Sequence, residues 1–219
     1  MAYSFGIIIL VGGRSSRFGQ DKGLFLWRGK PIVVHMLDAL NSLEFPFCIV
    51  AFDEDQVEKY RQVIPPHTSN VDFVTNSLAP LYPPDVRAPI IGAAAGLQYF
   101  SGKVDAAFIC SCDIPLIKAQ VVAYLASRYE GQDAILPSWD ENDFLEPLHA
   151  LYHVERTLPR AIQAIEKQKW KLLRLIWDSD SWERVSIEKE LQPLDPNLGT
   201  FANFNYVEDL DKLVARKGK

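Results

Sequence analysis

The chain has 219 residues, with 23 Lys and Arg against 28 Asp and Glu and a formal net charge of −5. At 48% hydrophobic and 23% charged residues it has the composition of a globular protein. The acidic balance argues against wholesale nucleic-acid binding, and no apolar run approaches the roughly 20 residues that cross a membrane. Three cysteines, an odd number, fit a reducing compartment. A charged segment ahead of the first apolar run is missing, so no signal peptide is expected and a cytoplasmic location is.

In chain order, residues 7–11 (IIILV) read as a buried parallel strand. A glycine-rich basic stretch follows, from Gly12-Gly13-Arg14 through Arg17 to Lys22. Pro31 suits a first helical position, and residues 32–43 are amphipathic. The order is therefore strand, basic glycine loop, helix. Glycines let a backbone approach a ligand and aim several N–H groups at it. With Arg14, Arg17 and Lys22 beside them, a nucleoside triphosphate is the natural guest. The loop is neither G-x-x-x-x-G-K-[ST] nor G-x-G-x-x-G.

Residues 47–52 predict a second strand, 53–63 a charged helix closed by Pro65-Pro66, and 71–74 a third strand. Residues 76–89 hold four prolines and predict a loop, and 90–100, with three consecutive alanines, a small-residue helix packed closely on a sheet. Residues 105–112 predict the central strand, on which Cys110 and Cys112 share a face. A helix over 118–128 and strands over 134–137 and 147–153 follow, then a helix over 158–169. Further on come a short apolar patch over 172–177, a strand within 182–191 and a helix over 207–216. Alternating strands and helices imply βαβ units in a doubly wound, mostly parallel α/β sheet. One domain over 1–219 is expected, with residues 1–115 mainly nucleotide-binding and 116–219 mainly acceptor-binding.

Asp113 stands where the 105–112 strand ends, at the edge where open α/β sheets bind ligands. A carboxylate beside a triphosphate suits Mg²⁺, which takes few protein ligands. The alternative is a helix cap, with Pro115 in the first turn. His149 and His153 lack a carboxylate cluster and do not make a metal site. Trp170, Trp177 and Trp182 read as packing residues.

Residues 10–23 (LVGGRSSRFGQDKG) and Gly29-Lys30-Pro31 together resemble the signature loop of the molybdenum cofactor guanylyltransferase (MobA) family. Asp113 within CDIPL, EPLHALY over 146–152 and FANFNYVEDL over 201–210 resemble its later segments, in family order. Val11 stands for the usual alanine and Tyr206 for threonine. Asn76 or Asp85 would have to stand for the aspartate preceding the family's G-P-L-A-G pattern.

The resemblance implies a Rossmann-like nucleotidyltransferase fold, and GMP transfer from GTP to molybdenum-bound molybdopterin, releasing pyrophosphate, with Mg²⁺ as cofactor. It implies that Leu10, Val11, Gly12, Gly13, Arg14 and Lys22 bind the nucleotide. Arg17, Lys22 and Asp113 would carry catalysis, with Asp113 on the metal and Asn203 and Asn205 orienting the acceptor phosphate or the metal's water shell. A molybdopterin-carrier protein fits as a partner; nucleic acid and membrane do not. Two alternatives stay open. One is a sibling enzyme using CTP or another small phosphorylated acceptor such as phospholactate. The other is a catalytically silent nucleotide-sensing or assembly domain, against which the retention of both Lys22 and Asp113 argues.

Overall fold

The computed structural model describes residues 3–12, 21–66, 68, 70–75, 78, 81–83 and 86–204. Its first strand, β1 (Phe5–Leu10), buries Ile7, Ile8 and Ile9 completely. Each such side chain contributes roughly 1.5–3 kcal/mol relative to exposure. Along β1 the side chains alternate between two cores. Ile7 and Ile9 join a cluster on one face, and Ile8 joins a cluster on the other. That alternation is why the run is apolar throughout rather than every second residue.

A two-residue hairpin joins β2 (Leu26–Trp27) to β3 (Lys30–Pro31). Arg28 and Gly29 turn it with φ of 49° and 77°, and Gly29 supplies the second left-handed position. Pro31 is extended and precedes α1 (Ile32–Leu40), so it flanks the helix rather than opening it as the sequence predicted. β4 (Phe47–Val50), α2 (Glu54–Val63) and β5 (Val71–Val74) follow, then α3 (Pro89–Phe100) and β6 (Ala106–Ser111). α4 (Ala119–Ser127), β7 (Ala134–Ser138), β8 (His149–His153), α5 (Val154–Glu166) and β9 (Trp182–Ser186) complete the described elements.

Among the described residues seven strands form one sheet in the order β5-β4-β1-β6-β8-β7-β9. β8 runs antiparallel to β6 and β7, and the other pairings are parallel. The sheet is thus mostly parallel, as expected. α1 and α4 cover one face and α3 and α5 the other. The small residues of α3 have a steric reason: a Cβ on Gly96 would lie 2.6 Å from Ile8 Cγ2.

α5 starts four residues before the predicted 158, because β8 runs into it without a loop. The N–H of Val154 donates to the Asp105 carbonyl at 3.0 Å, and Pro159 is carried in the second turn. Packing on α3 outweighs the proline penalty. At the opposite edge from β6's carboxyl end, buried Asp133 ties β7 to α5 through Arg156 (3.1 Å) and Arg160 (2.6 Å). The expected helix over 207–216 lies outside the described residues. None of the described helices is long and apolar enough to cross a membrane.

The winding from β1 through β4 to β5 goes one way, and the return through α3 to β6 goes the other. The order therefore reverses between β1 and β6, where Leu10 and Ser111 are register partners. The crevice outside the carboxyl ends of strands at such a reversal is where ligands bind in this architecture.

Candidate active site

The carboxyl ends of β1, β4 and β6 lie level. Val11 N–H donates to Val50 O at 3.0 Å, and Cys112 N–H donates to Leu10 O at 3.1 Å. Gly12 crosses close under the next loop, where an added Cβ would lie 3.3 Å from the Phe52 nitrogen.

Beyond the glycine loop, α2 fixes Asp21. Tyr60 OH donates to Asp21 Oδ1 at 2.5 Å, and Gly23 N–H donates to the same oxygen at 3.1 Å. Gln56 Nε2 donates to Asp21 Oδ2 (2.5 Å) and to Val11 O (3.1 Å), while its Oε1 accepts from Phe52 N–H at 2.7 Å. One amide thus ties together the chain on both sides of the glycine loop and the end of β4. Burial, then neighbouring Cys112 and Asp21, hold the Tyr60 phenol well above its ordinary pKa, so it remains a donor.

This clamp sets the next residue. Lys22 Nζ donates to Phe204 O at 2.7 Å and lies 3.2 Å from Asp113 Oδ2, with Lys22 and Asp113 side chains 16% and 20% exposed. It also sits 5.2 Å from the Phe204 ring centroid. Ser111 Oγ donates to Asp113 Oδ1, and Phe204 N–H donates to Asp113 O at 3.2 Å. Asp113 does not cap a helix: α4 begins at Ala119, after Lys118. Burial pushes the Cys110 and Cys112 thiols up, which favours their neutral form.

Beside this pair opens a cavity of about 470 Å³, a size that suits a small molecule. Leu10, Val50, Ile91 and Leu148 give it apolar walls, and Gly12, Ser111, Phe52 and Arg87 border it. Gly92 keeps it open, since a Cβ there would lie 3.1 Å from Leu10 Cδ2.

The structure therefore brings Leu10, Val11, Gly12, Lys22 and Asp113 to one edge. Asn203 is exposed next to buried Phe204, which touches both Lys22 and Asp113. Gly13, Arg14, Arg17 and Asn205 lie outside the described residues. His149 is buried against Phe201 and 3.7 Å from Glu146, and no cluster of three metal-ligating residues occurs among the described residues. Trp170 and Trp182 pack on the second core, but Trp177 is 62% exposed under Arg174. Sequence reading missed Gln56, Tyr60, Ser111 and Arg87. The Asp53-x-x-Gln56 spacing of a capping box was the available signal, because it marks Gln56 as reaching back past the helix start.

The family model for the MobA-like NTP transferase domain matches residues 7–182. The chain belongs to this family. A probable molybdenum cofactor guanylyltransferase of Methanosarcina mazei is 31% identical over 94% of this chain and 88% of its own length. One from Methanothermobacter thermautotrophicus is 30% identical over 93% and 96%. Molybdopterin-guanine dinucleotide biosynthesis protein A from Archaeoglobus fulgidus superposes with a TM-score of 0.76 at 24% identity, covering 97% of this chain and 99% of that one. That likeness supports the fold, a mostly parallel seven-stranded sheet flanked by helices. The chain is accordingly a nucleotidyltransferase of the MobA-like family.

Proposed function

We propose that this chain transfers GMP from GTP to the terminal phosphate of molybdopterin, releasing pyrophosphate. The observation that carries the reading is the Lys22–Asp113 pair, 3.2 Å apart at the reversal of the sheet and held there by the Asp21 clamp. An acceptor phosphate oxygen forms a bond to the α-phosphorus as the bond to the bridging oxygen breaks, and pyrophosphate leaves with those electrons. A phosphate acceptor is already ionised, so no general base is needed and positioning dominates.

Backbone N–H groups of Gly12 and Gly13 hold the phosphates and Arg14 adds positive charge, while Leu10 and Val11 position that turn, because Val11 N–H is spent on Val50 O, Val11 O on Gln56 and Leu10 O on Cys112 N–H. Arg17 and Lys22 offset the charge that develops on pyrophosphate. Asn203 and Asn205 orient the acceptor phosphate. Asp113 is the residue that would hold a divalent ion. The donor chemistry fits, because its carboxylate is a hard oxygen donor at the sheet reversal, with Ser111 Oγ on one oxygen and Lys22 Nζ 3.2 Å from the other. Mg²⁺ is the ion we assign, and bound there it would supply Lewis-acid neutralisation of the charge that develops during transfer.

Thermal unfolding with GTP, CTP, ATP and UTP in Mg²⁺ tests the reading. A ligand at a hundredfold excess over its Kd stabilises the fold by about 2.7 kcal/mol. GTP is expected to give the largest shift, and equal shifts from all four would contradict guanylyl specificity.

A further inference from the structure

The 470 Å³ cavity has mainly apolar walls, and among its described lining residues Arg87 carries the charge. Arg87 belongs to the segment just before α3, while Phe52 follows β4. The two meet at the cavity's border, with the guanidinium carbon 3.4 Å from the Phe52 ring centroid. Arg87 Nη1 also donates to the Val86 carbonyl at 3.1 Å. Both residues border the neighbouring polar cavity of about 320 Å³ as well, beside Gly12 and Gln56. The stacked pair thus forms a wall between an apolar compartment and the polar edge where the glycine loop begins. A guanidinium lying on an aromatic face is held in a fixed plane, and its planar fork presents donors alone.

That chemistry selects among bases. A guanidinium fork is satisfied by two acceptors on one edge. Guanine presents O6 and N7 there, whereas adenine places an N6 amine beside N7 and cytosine an N4 amine. Uracil offers O4 without the second acceptor.

We propose that Arg87, oriented by Phe52, is the specificity-determining residue of the site and reads the O6/N7 edge of guanine. This rests on the GTP reading and deepens it. Recognition through O6 and N7 does not depend on a carboxylate at residue 76 or 85, because a carboxylate would engage the N1–H and N2 amine instead.

The test is competition binding of GTP, ATP and 7-deaza-GTP, which lacks the N7 acceptor, to the wild type, Arg87→Lys and Arg87→Ala. Far-ultraviolet circular dichroism and the melting temperature confirm that each variant is folded. A bidentate contact of this kind discriminates by roughly ten- to a hundredfold. The wild type is expected to prefer GTP over ATP by that factor and to bind 7-deaza-GTP more weakly than GTP. Both variants are expected to lose the preference, and Arg87→Ala to bind GTP and 7-deaza-GTP equally. Arg87→Lys separates the fork from its charge, so full preference in that variant would overturn the inference. So would equal weakening of GTP and ATP in Arg87→Ala. A wild type with no preference for GTP would overturn the GTP reading itself and this inference with it. A GTP preference unchanged by either substitution would overturn this inference alone.

Discussion

Tyr60→Phe isolates the clamp that sets Lys22. The phenol oxygen lies 2.5 Å from Asp21 Oδ1, and the ring is completely buried. The substitution removes one hydrogen bond to a carboxylate and keeps the ring. Such bonds contribute about 1.5–3 kcal/mol. Gly23 N–H still donates to the same oxygen, and Gln56 to the other, so the lower end, about 1.5–2 kcal/mol, is expected. For a chain of this size that lowers the melting temperature by roughly 3–8 °C. Asp21 precedes Lys22, so loosening one lets the other drift from Asp113, and small misplacements at a reacting centre cost up to about a hundredfold. We predict a fall in kcat of roughly tenfold or more at saturating GTP. Urea unfolding with an unchanged m-value measures the first effect, and pyrophosphate release measures the second. Lost stability with unchanged kcat would refute the positioning role. An unchanged melting temperature would refute the clamp itself. Gly23→Ala attacks the same contact from the other side, because its Cβ would run into the Tyr60 hydroxyl.

Asp113→Asn is expected to lower turnover by about a hundredfold or more at saturating Mg²⁺ while leaving the circular dichroism spectrum intact; near-normal turnover would remove Asp113 from the chemistry. Gly96→Ala is expected to lower stability by up to about 2 kcal/mol in urea. The overpacked Cβ, 2.6 Å from Ile8 Cγ2, costs about 1–3 kcal/mol and alanine's helix propensity returns about 1. Stability is expected to fall as pH rises above 9. Burial raises the Cys48 thiol from 9.0 to about 12 and raises Cys110 and Cys112 further, so the unfolded chain loses protons that the folded chain keeps. The contribution is therefore complete below pH 9 and is lost towards the folded-state values, by up to about 1.4 kcal/mol per pH unit for each thiol. Urea unfolding at pH 8 and pH 10.5 under reducing conditions measures it, and Cys48→Ala should reduce the slope.

The inner strands β1, β4, β6, β7 and β8 were legible because they are buried on both faces and so read as plain apolar runs, β1 and β6 most clearly. The switch-point site was legible for the same reason: once β1 and β6 are placed, Gly12 and Asp113 fall at their carboxyl ends. Boundaries were less legible where tertiary contacts override local preference. The helix predicted from 158 starts at Val154, and packing on α3 carries Pro159 in the second turn of α5. The hairpin at Arg28 and Gly29 was missed because each of its strands has only two residues. Gln56, Tyr60 and Arg87 act across 35, 39 and 35 residues of chain on Asp21, Asp21 and Phe52 respectively. No local spacing encodes such contacts, apart from the capping-box interval at Gln56.

The most direct measurement is transfer of label from α-phosphate-labelled GTP onto molybdopterin, with CTP and ATP run in parallel. In Mg²⁺ one labelled nucleotide is expected on the acceptor for each pyrophosphate released, with GTP far ahead of the other two. Transfer from CTP at the rate of GTP, or pyrophosphate release with no label on the acceptor, would contradict the proposed guanylyl transfer.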